Sequence, residues 1–459
     1  MEANVMWFRR DLRLSDNPAL LSAAGLPGFG GSPAAVLPLF VVDPALWDPS
    51  GSPRREWLAA SLTALSSRIG AVGLHVLHGD PVREVVLAAR AVKAKAVHVA
   101  ADFGPYGKSR DAAVEAALAE HGIELVRTGS AYAVAPGRVF TKVGEPLKVF
   151  TPFKKAWLEH GWRDPAPEAD DVEWMSAKGG KSVPKCKREC AAGEERAVQR
   201  WVAFRDAGLP DYHERRDRPD VDGTSDLSTA LKFGEIHPRT LLADLADLGL
   251  DRDPRATGGA ATFRSELAWR EFWADVLHHR PASARQYLRE AFAGMRYDPP
   301  EENYRAWCAG RTGFPMVDAG MRQLADTGWM HNRVRMVVAS FLVKDLHVEW
   351  QHGARHFMRC LRDGDLASNQ LNWQWAAGCG TDAAPYFRVF NPMLQGAKFD
   401  PGGAYVRRWI PELRHLEGGA AHAPWDHDNG YVHGYPERIV EHFAERDEAL
   451  RRLKQISST

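Results

Sequence analysis

The sequence predicts an α/β N-terminal domain, a doubly wound, Rossmann-like parallel sheet, followed by an all-α C-terminal domain. Up to about residue 128, short apolar runs alternate with helical patterns; beyond Glu194 strand patterns nearly vanish and apolar residues recur at helical spacing. The length supports the division, since 459 residues exceed the size at which one core usually stops growing.

Strands are expected at Val5–Phe8, Ala35–Val42, Leu74–Leu77, Ala96–Ala100 and Glu124–Val126. Their near-continuous apolar character suits strands covered on both faces. The first leads into Arg9 to Asn17, a turn without glycine, so the G-x-G-x-x-G fingerprint of an NAD site is absent. The segmentation is 1–128 for the α/β domain, 129–195 for an interdomain linker and 196–459 for the helical domain. The linker is plainest from Pro165 to Gly193, where Pro, Gly, Lys and acidic residues replace periodicity. Helical spacing then dominates, as in Phe263, Leu267, Phe272 and in Val334, Val337, Val338, Phe341, Leu342.

The 59 Lys+Arg and 59 Asp+Glu residues give no global basic field, so any nucleic-acid contact needs a local patch. Five cysteines without a pairing motif, no apolar signal region and no run of roughly 18 apolar residues point to a reduced cytoplasm and no membrane. Cys186 and Cys190 lack the second pair of a zinc site. His352 and His356 lack the glutamate of a metalloprotease and are expected to be solvated. No metal is expected.

Chemistry concentrates in Asp363 to Trp375, where two carboxylates, several carboxamides and two tryptophans fall within thirteen residues. Carboxylates can accept from ring N–H groups, and indoles offer flat, oxidisable surfaces, so this suggests redox chemistry beside a stacked ligand. Thr224, Ser225, Asp226, Leu227 and Ser228 place hydroxyls and backbone N–H groups before a helical segment, which suits a phosphate or an ordinary N-cap. Glu266, Trp269, Arg270 and Trp273 share one helical face, a platform for a flat polar ligand or a salt bridge beside an aromatic. Arg335 is placed to pair with Asp363 or Asp365.

Together with Met6-Trp7-Phe8-Arg9-Arg10-Asp11-Leu12-Arg13, Tyr212-His213-Glu214-Arg215-Arg216-Asp217 and Gln395-Gly396-Ala397-Lys398-Phe399-Asp400, these segments resemble the photolyase/cryptochrome family across most of the chain. The resemblance implies an antenna domain and a helical domain holding FAD. It also implies light-driven repair of cyclobutane pyrimidine dimers in DNA, by electron transfer from photoexcited reduced FAD to a flipped-out dimer. Rival readings are a cryptochrome-type photoreceptor signalling through a partner, and a flavin-free DNA-binding protein.

By resemblance, Tyr212, Thr224, Ser225, Asp226, Leu227, Ser228, Arg270, Asn332, Arg335, Asp363, Gly364, Asp365 and Asn369 match cofactor-binding positions, with Asn369 facing flavin N5. Glu266, Asn332 and Asn369 match catalytic positions. Trp373 and Trp350 match the proximal and middle members of an electron-transfer chain whose distal place falls on Tyr297. Arg216, Glu266, Trp269, Arg270, Asn332, Arg333, Met336, Trp375 and Gln395 match lesion and DNA contacts. His331-Asn332 lacks the second histidine of 6-4 enzymes, which favours the cyclobutane dimer. Asp102, in Asp102 to Asp111, resembles the antenna segment of deazaflavin binders, giving 8-hydroxy-5-deazaflavin before methenyltetrahydrofolate or none. A monomer in the bacterial cytoplasm, at the nucleoid when on DNA, is expected. Asp226, Gln370-Leu371-Asn372 and Tyr297 depart from the family pattern, and Asp226 calls for a nearby cation or water.

Overall fold

The structure, a computed structural model, describes residues 2–457 apart from Gly31, Asp170, Arg188, Glu189, Asp251, Pro254 and 382–386. The chain forms two compact units: Met1–Leu147 with Thr151–Leu209 and Ser225–Pro281, and Lys148–Phe150 with Pro210–Thr224 and Ala282–Thr459.

The first unit is built on five parallel strands, β1 Glu2–Phe8, β2 Ala34–Val42, β3 His75–His78, β4 Ala96–Ala101 and β5 Glu124–Ser130, in the order β3-β2-β1-β4-β5. All five expected strands form, and the apolar runs of β1, β2 and β4 are buried on both faces. Met6, Phe8, Val36 and Val76 join one core, and Val5, Trp7, Leu37 and Val97 the other. Helices α1 Pro18–Ala23, α2 Ser52–Ile69, α3 Pro81–Ala91 and α4 Pro105–Ala119 connect the strands. Each carries proline in its first turn, where the missing N–H has no intrahelical partner to lose. The unit continues with α5 Glu194–Ala207, α6 Ser228–Phe233, α7 Pro238–Asp247 and α8 Gly258–His279.

Residues 129–195 contain a helix, Phe150–His160, and two short pairings with the sheet. Trp174 bridges Val36 in parallel and Lys181 bridges Val76 in antiparallel fashion; Val36 N–H donates to Glu173 O at 2.8 Å and Lys181 N–H to Val76 O at 2.8 Å.

The second unit is helical: α9 Glu302–Ala309, α10 Pro315–Thr327, α11 Asn332–Lys344, α12 Trp350–Cys360, α13 Leu366–Ala377, α14 Pro392–Phe399 and α15 His442–Ser457. Apolar residues of α9 to α13 and of α15 close one core around Trp307, Phe314, Phe341, Trp350 and Trp373. Asp318, fully buried, ties this core to the C-terminal segment: it accepts from Thr312 N–H at 2.7 Å, Gly313 N–H at 3.0 Å and Tyr435 Oη at 2.7 Å. Among the described residues no helix is long and apolar enough to cross a membrane.

Candidate functional site

In the helical unit, α11 and α13 bring the sequence-predicted polar residues together. Arg335 donates to Asp363 Oδ2 at 2.8 Å and to the Met330 carbonyl at 2.7 Å, so the expected pairing falls on Asp363. The Asp363 side chain is 3% exposed, and its carboxylate is held in place by a guanidinium that is itself one-quarter exposed. Asp365 caps α13, its Oδ1 accepting from Ser368 N–H at 3.1 Å. Four residues on, Asn369 donates to Ala354 O at 3.1 Å and to Gln370 Oε1 at 2.8 Å. Both amide protons are thereby used within the protein, and Oδ1 is the atom Asn369 can offer to an N–H donor. Trp373 is buried, while Trp375, two residues on and round the helix, is half-buried.

His331 caps α11: its Nδ1 accepts from Arg333 N–H at 3.2 Å. Burial pushes the imidazole down to about 4 from its ordinary 6.5. The unfolded chain therefore takes up a proton between these values that the fold refuses, so the stability is present above 6.5 and lost as pH falls toward 4. His331→Asn, which keeps a capping acceptor, is expected to flatten that acid loss by on the order of 2 kcal/mol, read from denaturant unfolding at pH 7 and pH 4.5. An unchanged acid slope would mean His331 does not titrate with unfolding.

From α11 a polar chain continues outward. Arg333 pairs with Asp217 at 2.8 Å and lies over the Phe399 ring at 4.4 Å; Asp217 is 3.9 Å from Arg216, which sits over the Tyr212 ring at 5.7 Å. Tyr212 is buried, Asn332 exposed, and Met336 and Gln395 are half-buried. Lys398 lies 5.1 Å from the Phe399 ring, so two cations flank one aromatic beside Gln395.

The electron-transfer candidates are also in this unit. The Trp373 indole packs on Gly353 of α12; a Cβ there would lie 2.1 Å from its Cη2. The missing side chain at Gly353 is what admits the indole. Gly353→Ala is expected to cost about 1–3 kcal/mol of stability, because the added methyl group displaces the Trp373 indole. An unchanged melting temperature would refute this. Trp350, one turn before Gly353, is fully buried. His352 and His356 are not solvated as expected: they meet the rings of Tyr304 at 6.0 Å and Trp307 at 5.4 Å, and burial pushes His356 down to about 4. The i, i+4 pair faces aromatic neighbours from α9, which local spacing could not reveal.

The remaining candidates belong to the sheet-bearing unit. On α8, Glu266, Trp269 and Arg270 form a half-buried ridge and Trp273 is buried, its ring 5.1 Å from Trp269. Arg270 donates to the carbonyls of Ala131 at 3.0 Å and Leu231 at 3.2 Å and lies over the Tyr132 ring. Before α6, Asp226 adopts φ +47°, and Arg200 supplies the cation its charge calls for, donating to its carbonyl at 3.1 Å and reaching its carboxylate at 3.5 Å. Leu227 is the N-cap position and no side chain caps α6, while Ser225 Oγ accepts from Leu227 N–H at 3.4 Å in a serine turn before the helix.

One family model, described as DNA photolyase, matches residues 4–170, and another, described as the FAD binding domain of DNA photolyase, matches 263–455. The deoxyribodipyrimidine photo-lyase of Escherichia coli is 38% identical, over 98% of this chain and 98% of that one. The chain belongs to the DNA photolyase family. The photo-lyase of Streptomyces griseus is 39% identical over 93% of each chain. Among solved structures, a class III photolyase from Agrobacterium tumefaciens has a TM-score of 0.89 at 36% identity, covering 100% of this chain and 98% of that one. A Synechocystis cryptochrome has a TM-score of 0.87 at 25% identity, covering 98% and 99%.

The family cofactor is FAD, and the donor set of the helical unit of this photolyase-family chain fits it. A buried carboxylate fixed by a guanidinium and a carboxamide oxygen without internal duty suit the N–H-rich edge of a reduced flavin. The departure at Gln370 has a local reason: its side chain accepts from Asn369 and donates to Ala284 O at 2.6 Å, so it orients the amide.

At the C-terminal ends of β1 and β4, where the strand order reverses, open α/β sheets place ligands. Asp102 stands there, accepting from Gly104 N–H at 3.0 Å and 3.3 Å from Arg110. Burial pushes its carboxyl up, but Arg10, Arg9 and Arg110 outweigh that and hold it below the usual range. Gly107 is required beneath it, since a Cβ would lie 2.2 Å from the carboxylate carbon. Arg9 and Arg110 both lie over the Trp7 ring, at 4.7 and 5.1 Å.

Sequence reasoning missed Arg200, Gln370's role, Gln374 and Tyr287. Gln374, fully buried, binds Ser283 O at 2.8 Å, Gln286 O at 3.0 Å and Leu288 N–H at 2.8 Å, fixing the segment that carries Tyr287.

Proposed function

We propose that this protein is a deoxyribodipyrimidine photo-lyase that repairs cyclobutane pyrimidine dimers in DNA with light. The observation that carries the reading is the near full-length match to deoxyribodipyrimidine photo-lyases, joined to a helical unit whose Asp363, Arg335 and Asn369 suit a flavin edge. When bound and reduced, FAD supplies a light-driven electron to the dimer and takes it back once the ring has opened.

The protein's own residues do the rest. Tyr212 and Thr224 to Ser228 hold the cofactor phosphates, Asp363, Gly364 and Asp365 with Arg335 and Asn332 hold its polar edge, and Asn369 accepts from the ring N–H. Glu266 hydrogen-bonds the pyrimidine edge and stabilises its extra charge. Trp269, Trp375, Asn332, Arg333 and Met336 receive the flipped dimer. Unstacking a lesion costs a few kcal/mol, which aromatic stacking of about 1–3 kcal/mol per base offsets. Arg216, Gln395 and Arg270 contact DNA; two of Arg270's N–H groups are already engaged, and a guanidinium has five. Trp373 and Trp350 carry electrons that reduce the oxidised flavin, and the family's distal place falls on Tyr297.

The segmentation 1–128, 129–195 and 196–459 then corresponds to antenna domain, linker and catalytic domain. The antenna is 8-hydroxy-5-deazaflavin at the Asp102 crevice, with methenyltetrahydrofolate or an empty site as alternatives. The archaeal photolyase of Sulfolobus tokodaii, TM-score 0.84 at 29% identity, is described with two FAD molecules, so a second flavin is a further outcome. The spectrum of chromophores released by mild denaturation decides. The protein acts as a monomer in the cytoplasm. Incubating flavin-reduced protein with dimer-containing DNA under blue or near-UV light is expected to restore intact pyrimidines, and no repair would favour the photoreceptor reading.

A further inference from the structure

We infer that Tyr287 is the terminal electron donor of the aromatic chain that begins at Trp373, and that Glu349 takes its proton. The inference rests on the proposed photo-lyase reading and extends it to residues outside the family chain. Tyr287 lies between Trp350 and Tyr297, its ring 6.2 Å from Trp350 and 6.5 Å from Tyr297, with the two phenol planes 11° apart. Its hydroxyl donates to Glu349 Oε1 at 2.6 Å. Glu349 precedes Trp350 directly, at the N-cap of α12, so one turn of chain presents both the indole and the carboxylate to the same phenol.

A phenol that loses an electron becomes a strong acid, so its oxidation proceeds only where a base stands within hydrogen-bond reach. Burial, then Tyr297 and the bond to Glu349, raise the Tyr287 pKa, so the resting side chain carries its proton. The carboxylate accepts from Tyr287 directly, whereas the buried Tyr297 hydroxyl meets Tyr287 and reaches the carboxylate only through it. A second aromatic branch leaves Trp373 through Trp307, 6.2 Å away, to Tyr304, stacked 5.9 Å from Trp307. Its hydroxyl donates to the His352 carbonyl at 3.3 Å, and a peptide carbonyl cannot take the proton. Gln374 positions the Tyr287 segment through three hydrogen bonds.

The step balances as follows. Trp373 gives one electron to the photoexcited oxidised flavin and regains it from Trp350. Trp350 regains its electron from Tyr287 as the phenolic proton passes to Glu349, leaving a neutral phenoxyl radical and a neutral carboxylic acid. An external thiolate then gives one electron to Tyr287 and leaves as a thiyl radical, while Glu349 returns the proton.

The test freezes FAD-loaded, flavin-oxidised protein after illumination and reads its electron paramagnetic resonance spectrum. The unmodified protein is expected to show a tyrosyl signal that Tyr287→Phe abolishes and Tyr297→Phe retains. Glu349→Gln is expected to lower its yield on the order of a hundredfold, with Glu349→Asp partly restoring it. In unmodified protein the signal should form more slowly in deuterated buffer, a measurement independent of variant folding. A full signal in Tyr287→Phe, its loss in Tyr304→Phe, or the absence of an isotope effect would overturn the inference. Failure of the underlying reading looks different: no tryptophan or tyrosine radical would form at all, and chemically reduced protein would not repair dimers. The Tyr287, Glu349 and Tyr304 variants leave repair by chemically reduced protein unchanged.

Discussion

Trp373→Phe is expected to cut light-driven reduction of oxidised FAD by about tenfold or more, the effect of adding roughly 1.4 kcal/mol or more to the barrier, while chemically reduced protein keeps its repair rate. The two activities separate because they draw on different electrons: repair returns its electron to the flavin, whereas reduction of the resting cofactor needs one from the protein. Phenylalanine preserves an aromatic surface against Gly353 and Phe357, whose ring is 5.0 Å from the indole, so the variant should fold with a small cavity cost. What it removes is an oxidisable ring at a site that is 3% exposed. Flash photolysis and a dimer-repair assay on dithionite-reduced protein measure the two arms. Equal loss in both would mean that Trp373 serves the lesion pocket or the cofactor fold instead of electron supply.

Arg335→Met is expected to produce the second large effect. It leaves Asp363 buried without its guanidinium, and breaking a buried ion pair costs about 3–5 kcal/mol. The figure is an upper value here, since Arg335 is one-quarter exposed and water can reach the pair from its side. FAD retention should fall with stability, read from the flavin absorbance of purified protein. Adding Asp363→Asn removes the stranded charge, so the double variant should regain stability while still losing FAD. If stability and retention recover together, the pair is a structural bridge with no bearing on the cofactor.

The five strands were legible because a parallel strand covered on both faces writes its burial as an unbroken apolar run, as in Val36 to Val42. The α8 ridge was legible for a similar reason, since Glu266, Trp269 and Arg270 sit one helical turn apart. The Arg335–Asp363 bond was open to inference as one of two pairings, with Asp363 or Asp365, and only the fold selects between them. Tyr287 and Glu349, 62 residues apart, carry no shared local pattern, and neither do Arg200 and Asp226. The same holds for His352 and His356, whose surroundings are made by rings on α9. Such pairings depend on how separate segments meet, and a window of neighbouring residues contains no trace of that.

The pairings of Trp174 with Val36 and of Lys181 with Val76 have a practical consequence. β3 spans only His75–His78 and pairs with Leu39 to Val42, which leaves the earlier part of β2 and the outer side of β3 to residues 173–181. An uncovered strand edge is a template for intermolecular pairing and aggregation. A fragment ending near residue 128 would therefore precipitate on expression, whereas a sheet-bearing fragment that keeps residues through 181 carries its own edge guard.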